Sequence, residues 1–323
     1  MRVLVTGGAG FIGSVTVAQL RDRDHDVVVV DDLSRGHEEL LPAGVPLTVA
    51  DVGQPERYRD VLDGIDACVH FAASIEAGES MQRPEAFFSN NTAATLRLLE
   101  ALVAADVRRF VFSSTAAVYG DPVRVPIAED DPTVPTNAYG ASKLLVEGAL
   151  AWLARLRGMS CVALRYFNAA GATPERGEEH DPESHLIPIV LQVAAGLRDE
   201  VAIYGTDSDT PDGTCVRDYI HVSDLADAHV RAVEQVDEPG LLACNLGNGG
   251  GFSVRDVIAI AREVTGHAIP AREAPRRAGD PAVLVASSER ARERLGWKPQ
   301  HPQLVDIVAS AWTWHRPRWT STA

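Results

Sequence analysis

Val3-Leu4-Val5-Thr6-Gly7-Gly8-Ala9-Gly10-Phe11-Ile12-Gly13 decides the fold. A short apolar run passes straight into glycines, with Gly7, Gly10 and Gly13 evenly spaced, and then into a helical stretch from Ser14 to Arg21. Glycines permit the tight turn and let backbone N–H groups approach a pyrophosphate lying on the positive end of a helix. About 20 residues further on, at the end of the next expected strand, stand Asp31 and Asp32. A carboxylate there can accept hydrogen bonds from an adenosine ribose and repels a 2′-phosphate. The strand, turn and helix therefore predict a dinucleotide site that prefers NAD to NADP, with Arg35 as a nearby cation that opposes the preference.

Outward from this turn, apolar runs recur at Val27 to Val30, Ala67 to Phe71, Phe110 to Ser114 and Cys161 to Tyr166, with helix-like stretches between them such as Leu96 to Leu102 and Leu144 to Leu150. Continuous apolar strands separated by amphipathic helices are what a parallel sheet covered on both faces requires. The fold class is α/β, a doubly wound parallel sheet of Rossmann type. After residue 170 the texture changes to a polar loop (Thr173 to Ser184), a helical stretch (Leu186 to Leu197) and a turn-rich passage (Gly205 to Gly213); the strand and helix signal returns from Asp218 to Leu246. This predicts a smaller, interleaved α/β substrate-binding lobe: residues 1–170 with about 215–250 form the dinucleotide domain, and 171–214 with 251–323 form the lobe.

Composition bounds the function. The 323 residues carry 45 acidic and 30 basic side chains, a formal net charge of −15. Binding to nucleic acid draws on many lysines and arginines that displace counterions, so nucleic acid is excluded as a partner. No apolar run approaches the roughly 18 residues of a membrane span, and the first residues enter the glycine turn without a cleavable signal. No membrane partner and a cytoplasmic location are expected. Cys68, Cys161, Cys215 and Cys244 lie far apart, without metal or redox spacing, and read as buried hydrophobes. His180-Asp181-Pro182-Glu183-Ser184-His185 contains ligand residue types without the spacing of a zinc site. It reads as a solvated loop, and no metal is expected.

Tyr139-Gly140-Ala141-Ser142-Lys143 sets a phenol and an ammonium on one helical face. The fourth recognised strand ends in Ser113-Ser114-Thr115, at the carboxyl edge where such a sheet opens its ligand crevice. A tyrosine near pKa 10 is a poor base at neutral pH, but a neighbouring Lys⁺ and a cationic nicotinamide stabilise its phenolate. Tyr139 can then exchange a proton with a substrate hydroxyl.

These residues, together with His70-Phe71-Ala72-Ala73, Asn90-Asn91, Arg165-Tyr166-Phe167-Asn168, the run from Asp212 to Ala226 and Arg277-Ala278-Gly279-Asp280, resemble the extended short-chain dehydrogenase/reductases that modify nucleotide sugars. Within that group the chain is similar to the UDP-glucose 4-epimerases over nearly its whole length. The resemblance implies an enzyme with tightly bound NAD that inverts C4 of a UDP-hexose through a transient 4-keto sugar. It implies Tyr139 as base, Thr115 assisting proton transfer with Ser114 beside it, and Lys143 on the nicotinamide ribose. Gly7, Gly10, Phe11, Ile12, Gly13, Asp31, Asp32, Leu33, Ser34, Asp51, Val52, Phe71, Ala72, Ala73, Asn90 and Phe167, with Tyr139 and Lys143, are implied as the cofactor set. Asn168, His185, Leu186, Tyr204, Arg217, Arg277 and Asp280, with Thr115, are implied as the substrate set.

A UDP-sugar substrate and a homodimer through residues 86–105 and 139–156 follow from the same resemblance, with Leu153 and Leu156 compatible with such a contact. Leu284 falls where side-chain bulk separates plain hexoses from N-acetylated ones. UDP-N-acetylhexosamine and UDP-pentose epimerases are the neighbouring readings. Dehydratases and decarboxylases carry carboxylates where this chain has Ala116 and Ala117, and methyl groups relay no protons. A non-catalytic NAD sensor would be expected to lack Tyr139 or Lys143.

Overall fold

The computed structural model describes residues 1–276 and 281–320. The first half runs β1 (Arg2–Thr6), α1 (Phe11–Asp22), β2 (Asp26–Asp31), β3 (Leu47–Val49), β4 (Ala67–His70), α2 (Ala77–Ser80), α3 (Pro84–Phe87), α4 (Ala94–Ala104), β5 (Arg109–Thr115), α5 (Ala138–Arg157) and β6 (Ser160–Tyr166). The second half continues β7 (Asn168–Ala170), α6 (Leu186–Ala194), β8 (Val201–Tyr204), β9 (Val216–Arg217), β10 (Tyr219–His221), α7 (Val222–Gln235), β11 (Gly240–Leu246), β12 (Phe252–Ser253), α8 (Val254–Thr265), β13 (Ala271–Ala274), β14 (Val283–Leu284), α9 (Glu289–Leu295) and α10 (Leu304–Thr320).

Seven strands form one parallel sheet in the order β11-β6-β5-β4-β1-β2-β3. Chain order reverses between β4 and β1, and a ligand crevice opens at the carboxyl ends of strands at such a reversal. Ser113-Ser114-Thr115 thus ends the fifth strand, not the fourth. The strand that the apolar pattern misses is β3, only three residues long and exposed at Val49.

Side-chain alternation builds two cores from this sheet. Val3, Val5, Val27, Val29, Ala67 and Val69 face one side and pack under Val17 and Leu20 of α1 and Leu225 and Ala228 of α7. Leu4, Val28, Val30, Cys68, Phe110 and Phe112 face the other, under Leu98 and Leu102 of α4 and Val146 and Leu150 of α5. A third core joins α6, β8, α8 and α10 through Ile187, Val190, Ile203, Val257, Ile307 and Trp312. Ala291, Leu295 and Trp297, expected in the smaller lobe, pack in the main sheet's core instead. Trp314 at the Trp-rich end is buried. Helix α6 stops at Ala194 rather than Leu197, because Gly196 turns the chain at a φ of +77°.

One polar feature lies inside the second core. Glu147 stands on the buried face of α5, where the apolar pattern of residues 144–150 shows only a helix facing the sheet. Its carboxylate pairs with Arg165 of β6, whose Nε donates at 3.0 Å, and the two side chains are 4% and 8% exposed. Ser114 Oγ donates to the same carboxylate at 2.6 Å, and Arg165 also donates to the Tyr119 hydroxyl at 2.9 Å. Removing one partner of a buried pair leaves the other charge uncompensated, at a cost of about 3–5 kcal/mol. Glu147→Leu is therefore expected to lower unfolding free energy by that amount in a urea titration. Glu147→Leu combined with Arg165→Met should recover much of it; equal losses in the single and double variants would contradict an uncompensated charge as the cause.

Candidate active site

The crevice at the β4/β1 reversal is a cavity of about 370 Å³. Its floor is the glycine turn. Gly7 adopts a φ of +72°, and a Cβ there would lie 2.5 Å from the Ala72 backbone nitrogen; a Cβ on Gly13 would lie 2.2 Å from the Gly7 carbonyl oxygen. No other residue leaves the backbone this close to what lies above it. Helix α1 opens on Gly10 with no side-chain cap, so its first N–H groups are left for an anion.

At one end of the cavity Asp31 is 6% exposed and accepts N–H bonds from Ala9 and Leu33, both at 2.9 Å. Burial raises its carboxyl pKa against those two bonds. Asp32 beside it accepts from the Ser34 backbone at 2.9 Å. Arg35 is taken up by Glu76 at 3.6 Å and by the Asp181 carbonyl. The cation that opposed a preference for NAD is thus committed to the protein's own groups. Glycine cradle, uncapped helix and paired carboxylates together fit NAD.

Of the expected cofactor set, Gly7, Gly10, Phe11, Ile12, Gly13, Asp31, Asp32, Ser34, Asp51, Val52, Phe71, Ala72, Ala73 and Asn90 line this cavity. Leu33, Tyr139, Lys143 and Phe167 are not part of its wall. Leu33 is turned to a φ of +58° with its N–H on Asp31, and Phe167 packs beside Val118, Tyr119 and Ile127. The wall also includes Tyr166, Glu76, Phe87 and His180, which the motifs did not single out for it. A signal for Tyr166 was available, since it ends β6 beside Thr115 of β5.

The end of β5 sorts its hydroxyls by face. Ser113 Oγ meets the Tyr166 hydroxyl, and Ser114 turns the other way into the Glu147 pair. Thr115, again on the first face, accepts the Ala117 N–H at 3.1 Å and lies near enough to the Tyr139 phenol to favour its ionised form. Ser114 therefore supports the core rather than the reacting centre, a correction to its expected place beside Thr115. Asn137 caps α5 by accepting the Gly140 N–H at 2.8 Å. One turn beyond Tyr139, Lys143 is 3% exposed and donates to the Ser113 carbonyl at 3.0 Å, its ammonium 4.9 Å from the Phe112 ring centre.

Burial pushes the Tyr139 phenol up to about 12; the nearby Thr115 hydroxyl works against this, and the Glu76 carboxylate adds to it. Burial also lowers Lys143 to about 7. The lysine of the protein alone does not ionise the phenol.

Among the substrate set, Asn168 Nδ2 donates to the Asp218 carbonyl at 3.0 Å, where β7 pairs with β10. Arg217 Nη1 donates to the Val216 carbonyl at 2.8 Å, Tyr204 is 40% exposed at the end of β8, and Leu186 is the first residue of α6. None of these, nor His185, lines the dinucleotide cavity. Arg277 and Asp280 lie outside the described residues.

His185 belongs to a packed cluster, not a solvated loop. Its Nδ1 stands 2.7 Å from Glu178 and 3.0 Å from Glu183, whose side chains are 4% and 5% exposed. Burial opposes the charge on both His185 and Glu178, but their contact overrides it, holding the imidazole well above and the carboxyl well below their ordinary ranges.

Residues 3–247 match the model of the NAD dependent epimerase/dehydratase family. The chain is 51% identical over 321 residues to a UDP-glucose 4-epimerase of Halalkalibacterium halodurans, covering 98% of this chain and 96% of that one. The solved structure of UDP-glucose 4-epimerase from Brucella ovis in complex with NAD superposes with a TM-score of 0.93 at 42% identity, covering 98% of each chain. That of Bifidobacterium longum in complex with NAD⁺ and UDP gives 0.93 at 39% identity, with the same coverage. Cradle, phenol, lysine and whole-length similarity agree: the chain belongs to the NAD dependent epimerase/dehydratase family, in the UDP-glucose 4-epimerase group within it.

Proposed function

We propose that the protein inverts C4 of a UDP-hexose, interconverting UDP-glucose and UDP-galactose with NAD held in the glycine-cradled cavity. The observation that carries this reading is Tyr139 at the carboxyl edge of the sheet, near enough to the Thr115 hydroxyl for that group to favour its ionised form, and one helical turn from buried Lys143. Tyr139 takes the proton of the sugar 4-hydroxyl and later returns one to the 4-keto oxygen. Thr115 Oγ accepts the Ala117 N–H, so its own hydrogen is free to donate to the phenol oxygen, which favours the ionised form. NAD, when bound, supplies the two-electron redox partner for C4 and, oxidised, a positive ring that stabilises the phenolate. Lys143, fixed by the Ser113 carbonyl, would hold the nicotinamide ribose.

Asp31 and Asp32 would hold the adenosine ribose, and the first turn of α1 the pyrophosphate. The smaller lobe would take the nucleotide sugar through His185, Leu186 and Tyr204, with Arg277 and Asp280, and Asn168 and Arg217 of the dinucleotide domain would complete the set. The turn after Thr115 is Ala116–Val118, which offers no carboxylate for elimination. Leu284 packs, as Phe167 does, against the cluster of Val118, Tyr119 and Ile127, and its intermediate bulk supports a plain hexose.

Four unbridged, buried cysteines support a cytoplasmic protein, and among the described residues no helix is long and apolar enough to cross a membrane. On α5, Leu145, Trp152 and Leu156 are 55%, 60% and 67% exposed and share one helical face, which supports a second copy of the chain as the cover for that face. Leu153, by contrast, packs partly into the second core.

Two outcomes test this reading. Purified protein should convert UDP-galactose to UDP-glucose, and Tyr139→Phe should lower turnover by about 10²–10⁴ with NAD still bound; unchanged turnover would remove the phenol from its role. Trp152→Glu with Leu156→Glu should convert a dimer to a monomer by light scattering after gel filtration, whereas an unaltered mass would rule out this face as the contact.

A further inference from the structure

Glu178, His180, Glu183 and His185 bring one ligand atom each to within 4.8 Å of one another. His185 Nδ1 lies 2.7 Å from Glu178 Oε1 and 3.0 Å from Glu183 Oε1, and His180 Nδ1 lies 2.9 Å from Glu178 Oε1. An imidazole nitrogen carries at most one hydrogen, yet two carboxylate oxygens stand at bonding distance from the same His185 atom. One of those contacts has no proton of its own. The two carboxylates are sheltered at 4% and 5% exposure, where like charges repel strongly. One imidazolium balances the charge of only one of them; Glu183 Oε1 also accepts the Ser184 and His185 backbone N–H groups, both at 2.7 Å. The His185 side chain, 40% exposed, leaves a way in from solvent.

We propose that these four side chains form a binding site for a borderline divalent cation of the zinc class. Two imidazoles and two carboxylates suit such an ion in four-coordinate geometry, whereas magnesium and calcium favour oxygen ligands throughout. The cation replaces the hydrogen-bonding protons among the four ligand atoms and neutralises both carboxylates.

Its place in the fold gives it a structural consequence. The loop is already tied to the segment after β2, with His37 Nε2 3.1 Å from the Glu179 carbonyl and Arg176 Nε donating to the Leu40 carbonyl at 2.7 Å. His180 lines the dinucleotide cavity, and His185 immediately precedes α6. A cation held here joins the wall of that cavity to the helix that opens the smaller lobe. It takes no part in the proton transfer at Tyr139.

Tag-free protein, with its NAD, is loaded with Zn²⁺ and dialysed, and retained zinc is measured per chain; Co²⁺ is added separately as a spectroscopic probe. The expected result is a single retained zinc and the intense visible absorption of four-coordinate cobalt. Both are lost in Glu178→Gln and in His180→Asn, and both persist in His267→Ala, a histidine outside the cluster. If Glu178→Gln fails to fold by circular dichroism, His180→Asn, at a side chain less buried than Glu178, carries the test alone. Wild type retaining no more zinc than the cluster variants, or giving only the weak absorption of six-coordinate cobalt, would overturn the proposal and leave a hydrogen-bonded cluster only.

Discussion

Three consecutive residues of β5 meet three residues on one stripe of α5, and the rest of the site depends on that register. Lys143 reaches the Ser113 carbonyl, Glu147 accepts from the Ser114 hydroxyl, and Tyr139 stands near the Thr115 hydroxyl. Tyr139, Lys143 and Glu147 recur at helical spacing, so a rigid helix delivers all three to the strand at once. Consecutive strand residues leave opposite faces, so a slip of one residue would send every hydroxyl to the wrong side. The Glu147–Arg165 pair is then more than a stabilising contact inside the core. It resists that slip, because any shift would strand a buried charge.

The same register separates structural from chemical roles among similar residues. Ser113 meets Tyr166 of the cavity wall and Thr115 accepts the Ala117 N–H, while Ser114 between them is spent on the ion pair. Likewise two acidic residues end β2, but Asp31 is the one whose carboxylate holds the backbone of the glycine turn through Ala9. Removing it would loosen the cradle as well as the ribose contact. Arg35, by pairing with Glu76 and the Asp181 carbonyl, becomes part of the wall.

Much of this was legible in the sequence because burial on both faces forces parallel strands to be continuously apolar. That is why β1, β2, β4, β5 and β6 stand out, and why glycines after β1 announce close backbone approach. A three-residue edge strand such as β3 has too little pattern to register. Tyr139 and Lys143 were legible through their spacing, but the phenol's electrostatics were not, since desolvation depends on packing from elsewhere in the chain. Glu147 and Arg165 are distant in sequence and meet only across the α5–β6 contact. The stretch from His180 to His185 reads as solvated because all of its residues but Pro182 are polar; charge compensation among Glu178, His180, Glu183 and His185 allows those four to pack.

The central claim is that the protein alone holds Tyr139 neutral and that the phenol becomes a base only beside oxidised NAD. Ultraviolet difference absorption of phenolate, taken as wild type minus Tyr139→Phe across pH, measures this directly. Because burial raises the phenol from the ordinary tyrosine value of about 10 to about 12, cofactor-stripped protein should show this phenolate only near pH 12, and NAD⁺-bound protein should show it at markedly lower pH. Identical titration curves with and without NAD⁺ would contradict the account.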